Sequence, residues 1–191
     1  MTNGIKVKKR NGSIEPLNLE KMHLMVEEAT KGLAGTSASQ VEIQSGIQFY
    51  DGITTGEIQE ILIKSASDLI DLDHPNYQYV AARLLLFAVR KSLYGRMREL
   101  PPLSDHIQNC TGIHVYDFAI YDKYNLEEIN QADSWIDHDR DYLFTYAGLR
   151  QVVDKYLVQD RSSGKVFETP QFMYMMICLL YTSDAADDVL W

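Results

Sequence analysis

Lys6, Lys8, Lys9, Arg10 and Lys21 crowd the first residues of a chain that is otherwise acidic. Within residues 1–23 only Glu15 and Glu20 oppose them, whereas all 191 residues together carry a formal net charge of −9. Coating a nucleic acid needs a broad basic surface, so the overall charge argues against a DNA or RNA partner. A local cationic patch on an acidic body suits one compact anion. Lys9 and Arg10 are the first candidates to hold it, because they sit where the chain turns and adjacent side chains can reach around the turn. Lys21 falls in the first turn of the next helix, where the peptide dipoles also favour an anion. Thr55 opens a further helix and offers a hydroxyl beside backbone N–H groups. Lys91 would have to come from the far end of a fourth helix. The plainer alternatives are solvated surface cations and, for Thr55, an ordinary helix cap.

Glu15 and Asn18 put a carboxylate and an amide beside this patch. The carboxylate can accept from an exocyclic amine and the amide can donate or accept, which together would read an adenine edge. The alternative for Asn18 is a simple cap. Asp137, His138, Asp139, Arg140 and Asp141 form a dense acidic run, but such runs more often cap a helix and pair with an arginine than hold a metal. Cys110 and Cys178 are far apart and in no C-x-x-C pair, which excludes a zinc ribbon and a disulfide framework and fits a reducing cytoplasm. No Walker-type, dinucleotide-binding or nucleophile-elbow motif occurs.

The elements that must position these groups are mainly helical. Ile5 to Arg10 alternates, Asn11-Gly12 predicts a type I′ turn with two positive-φ positions, and Ser13 to Pro16 returns, making a β-hairpin. Asn18 is the expected N-cap of a helix with Leu19, Met22, Met25, Val26, Ala29 and Leu33 on one face. A second helix runs from Ser37 or Ser39 to about Tyr50. A third, capped by Thr54-Thr55, carries Ile58, Ile61, Leu62, Ala66, Leu69 and Ile70. A fourth, from Asp73-His74-Pro75 to about Tyr94, presents Val80, Ala81, Leu84, Phe87 and Ala88. The first domain, residues 1–95, is thus a hairpin plus four helices, and Gly95 to Pro102 is the expected boundary.

Residues 96–177 read as short helices near 103–110 and 126–135, a longer one at 141–156, a second hairpin about Arg161 to Gly164, and a helix opened by Thr169-Pro170. Phe172, Met173, Met176 and Ile177 are expected to lack the partner that would bury them. The longest apolar run, Phe172 to Tyr181, is too short to span a bilayer, and the lysine-rich start is no signal peptide. Cys178 to Trp191 changes character abruptly and resembles translated adapter read-through, so residues 178–191 are expected to be a foreign tail.

Several of these segments together resemble the ATP-cone, the activity-regulating domain at the N-terminus of many ribonucleotide reductases. The carriers are Val7, Lys9-Arg10, Gly12-Ser13, Glu15, Asn18-Leu19 and Lys21, then Ile47 to Gly52, Thr55, and Tyr77 to Leu84. Beyond the cone, Trp135 to Asp141, Lys155 to Gln159 and Glu168 to Phe172 look like the large subunit of the class I ribonucleoside-diphosphate enzyme. The resemblance implies that Lys9, Arg10, Lys21, Thr55 and Lys91 contact phosphates. It implies that Glu15 and Asn18 read adenine, with Pro16, Leu17, Leu19 and Glu20 as the adjoining wall. Gln59 stands where such cones often have a histidine near the sugar and phosphates, and it cannot become cationic, which puts the distinction between ATP and dATP in question.

By the same resemblance the effector is ATP or dATP, with Mg2+ accompanying the triphosphate. The partners are a radical-generating small subunit and a second large subunit. The radical and redox cysteines of the family match neither Cys110 nor Cys178, so this stretch alone is expected to be inactive. Two other readings remain: a stand-alone ATP-cone module regulating a partner subunit, and a helical structural protein without a ligand.

Overall fold

The computed structural model describes residues 4–187, with side chains described from residue 4 to residue 180. It is 58% helical, in line with the mainly α expectation. The chain divides into two compact units: Met1–Ala88 with Tyr142–Arg150, and Val89–Asp141 with Gln151–Trp191.

In the first unit β1 (Lys6–Lys8) pairs antiparallel with β2 (Ile14–Pro16), placing Val7 opposite Glu15 and Lys8 opposite Ile14. The turn between them differs from the expected type I′. Only Gly12 has a positive φ, at 85°, while Asn11 does not. Lys9 N–H donates to Ser13 O at 2.8 Å and Gly12 N–H donates to Lys9 O at 2.9 Å. This is a three-residue loop closed by a glycine bulge, the next commonest hairpin connection. The Asn11 side chain explains the choice: its Oδ1 accepts from Ser13 N at 3.0 Å and from Ser13 Oγ at 2.8 Å, which holds Asn11 within the loop.

Four helices follow the hairpin: α1 (Leu19–Thr30), α2 (Ala38–Gly46), α3 (Thr55–Asp68) and α4 (Tyr77–Tyr94). A two-residue strand, β3 (Ile53–Thr54), lies between α2 and α3 and pairs parallel with β1, matching Val7 to Ile53 and Lys8 to Thr54. Val7, Val26, Ala29, Val41, Ile53, Leu62, Ile63, Ala66, Val80, Ala81 and Leu84 are all buried and form the core of this unit. The expected stripe on α3 is shifted at its edges. Ile63 is buried, whereas Ile70 is 39% exposed just past the last turn. Arg83 closes the C-terminal end of α1 by donating to Ala29 O at 3.2 Å and Lys31 O at 2.8 Å, a cation on the negative end of the helix.

The second unit contains α5 (Leu103–Gly112), α6 (Ile120–Lys123) and α7 (Leu126–Asp133). The single helix expected over 141–156 is three pieces: a 3-10 turn at His138–Leu143, α8 (Tyr146–Gln151), and a π turn at Val152–Tyr156. The hairpin β4 (Gln159–Asp160) and β5 (Lys165–Val166) precedes α9 (Pro170–Asp187). Leu103, Ile107, Ile120, Ile129, Ala132, Phe172, Met176 and Leu179 make its core. The expectation that Phe172, Met173 and Met176 lack a burying partner is therefore overturned: all three are buried, Phe172 and Met176 within the core formed with α5, α6 and α7, while Ile177 remains 44% exposed. Helix α9 runs on past Cys178, and the last four residues of the expected foreign tail lie outside the described residues.

Candidate anion-binding site

Parallel pairing of β1 with β3 brings the basic hairpin tip beside the start of α3, because the strand that ends in Lys8 lies against the one that ends in Thr54. Chain geometry does the rest. Arg10, at the tip, reaches one turn into α3, where its Nη2 donates to Gln59 Oε1 at 3.2 Å. Gln59 is buried, at 8% exposure, and this bond fixes which way its amide faces. Gln59 Nε2 is consequently a buried donor with no acceptor. Such a group costs about 1–3 kcal/mol when left unmade, so an oxygen supplied from outside the chain would be favoured there.

Thr54, rather than Thr55, caps α3. Thr54 Oγ1 accepts from Glu57 N–H at 3.1 Å, and Glu57 Oε2 accepts from Thr54 N–H at 2.8 Å, completing a capping box. Tyr50 donates its hydroxyl proton to the other Glu57 oxygen at 2.7 Å. These bonds, those from Thr54 foremost, hold the Glu57 carboxyl below its ordinary range. Thr55 is the first helical residue, half-buried and relieved of capping, at the positive end of a 14-residue helix. Thr54→Ala should therefore cost the first unit about 1 kcal/mol in urea unfolding, whereas Thr55→Val should cost far less. Equal losses would reverse the assignment of the cap.

At the start of α1, Asn18 is the N-cap: its Oδ1 accepts from Lys21 N–H at 2.9 Å. Its amide nitrogen is thereby left facing outward as a donor. Lys9 Nζ lies 3.1 Å from Glu15 Oε2, and both side chains are partly exposed. Pro16 ends β2, Leu17 bonds back to Ile5 O at 2.9 Å, and Leu19, Glu20 and Lys21 form the exposed first turn of α1. Leu19 and Glu20 also line a groove of about 470 Å3 with His23 of α1 and with Glu42 and Ile43 of α2. Lys91 is exposed in the last turn of α4, beyond Ala88, where the first unit ends.

The structure thus brings Lys9, Arg10, Glu15, Thr55 and Gln59 around one hairpin tip and one helix start, with Asn18 and Lys21 directly after β2. Reading the residues one by one missed β3 and named Thr54-Thr55 together as the cap without choosing Thr54. The signal for both lay in Gly52-Ile53-Thr54-x-x-Glu57, a capping box preceded by a buried apolar residue.

Residues 5–92 match the ATP cone domain family, and residues 142–190 match the ribonucleotide reductase all-alpha domain family. Residues 5–92 are thus an ATP cone, joined to sequence that is similar to ribonucleotide reductases. Over 177 residues it is 47% identical to ribonucleoside-diphosphate reductase 1 subunit alpha of Escherichia coli, covering 93% of this chain and 23% of that relative. The corresponding alpha subunit of Haemophilus influenzae is 45% identical over the same shares of each chain. That of Enterobacteria phage T4 is 44% identical over 158 residues, 82% of this chain and 21% of the relative. The chain therefore spans about a quarter of the length of the curated relatives it matches. The ATP cone is a nucleotide-binding regulatory domain, which agrees with a basic tip set against a helix N-terminus. Among the described residues no helix is long and apolar enough to cross a membrane.

The acidic run in the second unit has a structural task. Arg90 Nη2 donates to Asp141 Oδ2 at 2.9 Å and to His138 O at 2.7 Å, while Gln171 Nε2 donates to Asp141 Oδ1 at 3.0 Å. Asp141 thus pairs with an arginine, as expected of the run, but the partner comes from α4.

Proposed function

We propose that residues 5–92 sense ATP and dATP for a ribonucleoside-diphosphate reductase whose catalytic machinery lies in sequence beyond this stretch. The parent would make deoxyribonucleotides in the cytoplasm as a large-subunit dimer acting with a radical-generating small subunit. The names and coverage of the relatives support that parentage. The residues described here form no group of three or more His, Cys, Asp or Glu for a metal, so Mg2+ would arrive with the triphosphate and be held by its oxygens.

The observation that carries the effector reading is the buried, unmade Gln59 Nε2 beside Arg10 at the start of α3. A ligand oxygen there completes the amide. Lys9, Arg10, Lys21 and Lys91 would neutralise the phosphates, and Thr55 with the α3 N-terminus would add donors. Base choice follows from the cap at Asn18. With Oδ1 committed to Lys21 N–H, the side chain offers only its N–H donors, and Glu15 offers only acceptor oxygens. Adenine presents the complement, an amino donor at C6 beside the N1 acceptor. Guanine presents a carbonyl acceptor beside an N1–H donor, which opposes both.

Calorimetry of this chain should accordingly give ATP and dATP at least tenfold tighter binding than GTP, and ITP should behave like GTP. A mismatched donor–acceptor edge leaves buried polar groups unmade, and each costs about 1–3 kcal/mol. Equal affinity for ATP and ITP would show that the base edge is not read here.

A further inference from the structure

In the described structure the groups assigned to the nucleotide are engaged with one another: Arg10 with Gln59, Asn18 with the α1 backbone, and Lys9 with Glu15. The last pair differs from the others in kind. Lys9 is a phosphate group's partner, and Glu15 is a base reader. We propose that Lys9 exchanges Glu15 for the triphosphate, so that phosphate binding releases the carboxylate that reads the base. This rests on the proposed ATP and dATP reading of the site and adds its internal coupling.

The strand register sets up the exchange. Glu15 stands directly across from Val7 in the β1–β2 ladder. Lys9, two residues on from Val7, lies diagonally across the same face, within reach of a long side chain. The pair is exposed to 33% at Lys9 and 55% at Glu15, so the ion pair is weak and easily traded. A triphosphate offers Lys9 several negative oxygens in place of one carboxylate, and the α3 N-terminus holds those oxygens at the hairpin tip. Once Lys9 turns to them, Glu15 no longer points at Lys9 and is free to accept from an exocyclic amine. A nucleoside lacks the phosphates, leaves Lys9 on Glu15, and meets a base-reading site whose carboxylate is partly engaged.

The test compares base preference with and without phosphates, by calorimetry for ATP and GTP and by ligand-observed NMR titration for adenosine and guanosine. The wild-type chain should prefer ATP over GTP at least about tenfold, and its preference for adenosine over guanosine should be smaller by about two- to fivefold. Lys9→Met should weaken ATP binding and raise the adenosine-to-guanosine preference by about two- to fivefold, the scale of an exposed ion pair. Lys9→Gln should do the same, which guards against a folding defect in one variant. Glu15→Gln in the Lys9→Met background should abolish the gain. The exchange is refuted if the wild-type chain discriminates the nucleosides as sharply as the triphosphates, or if both Lys9 variants keep the wild-type nucleoside preference. Absence of any ATP-over-GTP preference in the wild-type chain would instead remove the underlying effector reading.

Discussion

Arg90→Met should destabilise the second unit by about 3–5 kcal/mol at pH 7.5, the cost of stranding a buried charge. Arg90 and Asp141 are 2% and 0% exposed, so neither can turn to water for a replacement partner. Removing the guanidinium leaves Asp141 with the single donor from Gln171 and leaves the His138 carbonyl without the one from Arg90. Burial already raises the Asp141 carboxyl above its ordinary range, against the lowering influence of Gln171 and Arg90. Without Arg90 it rises further, and a carboxylic acid can be buried neutral at far less cost than a carboxylate. The sign follows. An acid with a raised folded pKa favours the folded state at low pH and loses that advantage as pH climbs. The deficit in Arg90→Met should therefore be smaller at pH 5 than at pH 7.5. Urea unfolding followed by tryptophan fluorescence measures it, since Trp135 belongs to this unit. The double variant Arg90→Met, Asp141→Leu should recover much of the loss, because a buried pair often does no better than apolar residues of like volume. A cost below about 1 kcal/mol for Arg90→Met would mean that Asp141 finds water or another cation.

That ion pair also shows where sequence reading stops. The acidic run announced a capping or pairing role, but 51 residues separate Arg90 from Asp141 and no local rule selects one arginine among several. Local physics was legible. The α1 cap at Asn18, the glycine that turns the hairpin, and the helical stripes through Val26, Leu62 and Leu84 all follow from spacing and residue type. Non-local pairing was not. Strand β3 is two residues long, too short for alternation to register, and only its ladder with β1 makes it a strand. The same ladder carries the hairpin tip to α3, so Lys9, Arg10 and Thr55 could be named singly while their meeting point could not. Gln59 illustrates the limit most plainly. Its type excluded a cationic role from the start, but only burial and the Arg10 bond reveal an amide with an unmade donor. The Asn11-Gly12 pair misled in turn choice because Asn11 spends its side chain on Ser13. A dipeptide preference does not anticipate that competition.

Acidification from pH 6.5 to about 4 should weaken the second unit by about 3 kcal/mol through one residue, His106. Its surroundings fix its protonation. Tyr116 and the Val158 N–H, the latter at 2.7 Å, each donate to one oxygen of buried Glu168. Having given its proton to Glu168, the Tyr116 oxygen must accept from His106 Nε2, 3.1 Å away. Nδ1 is then the acceptor of the neutral ring and takes the Tyr94 hydroxyl at 3.2 Å. The ring is 2% exposed and stacks on Phe172 with centroids 4.3 Å apart. A second proton would sit at Nδ1 facing a hydroxyl that already donates there, on a ring almost wholly closed to solvent. Burial accordingly lowers the His106 pKa to about 4, with a smaller push from His138. The unfolded chain takes up a proton near pH 6.5 and the folded one does not until about 4. Between those values the unfolded state binds more protons, so stability is complete above pH 6.5 and falls steadily toward 4. His106→Gln retains an amide acceptor and donor but cannot titrate. Its urea midpoint, read by tryptophan fluorescence, should fall less steeply over that window than that of the wild-type chain. Glu168 and Asp141, both raised by burial, are present in both proteins, so the difference between the two slopes isolates His106. Parallel slopes would mean that His106 becomes charged in the folded protein without penalty, and the proposed direction of the hydrogen-bond chain would fall with it.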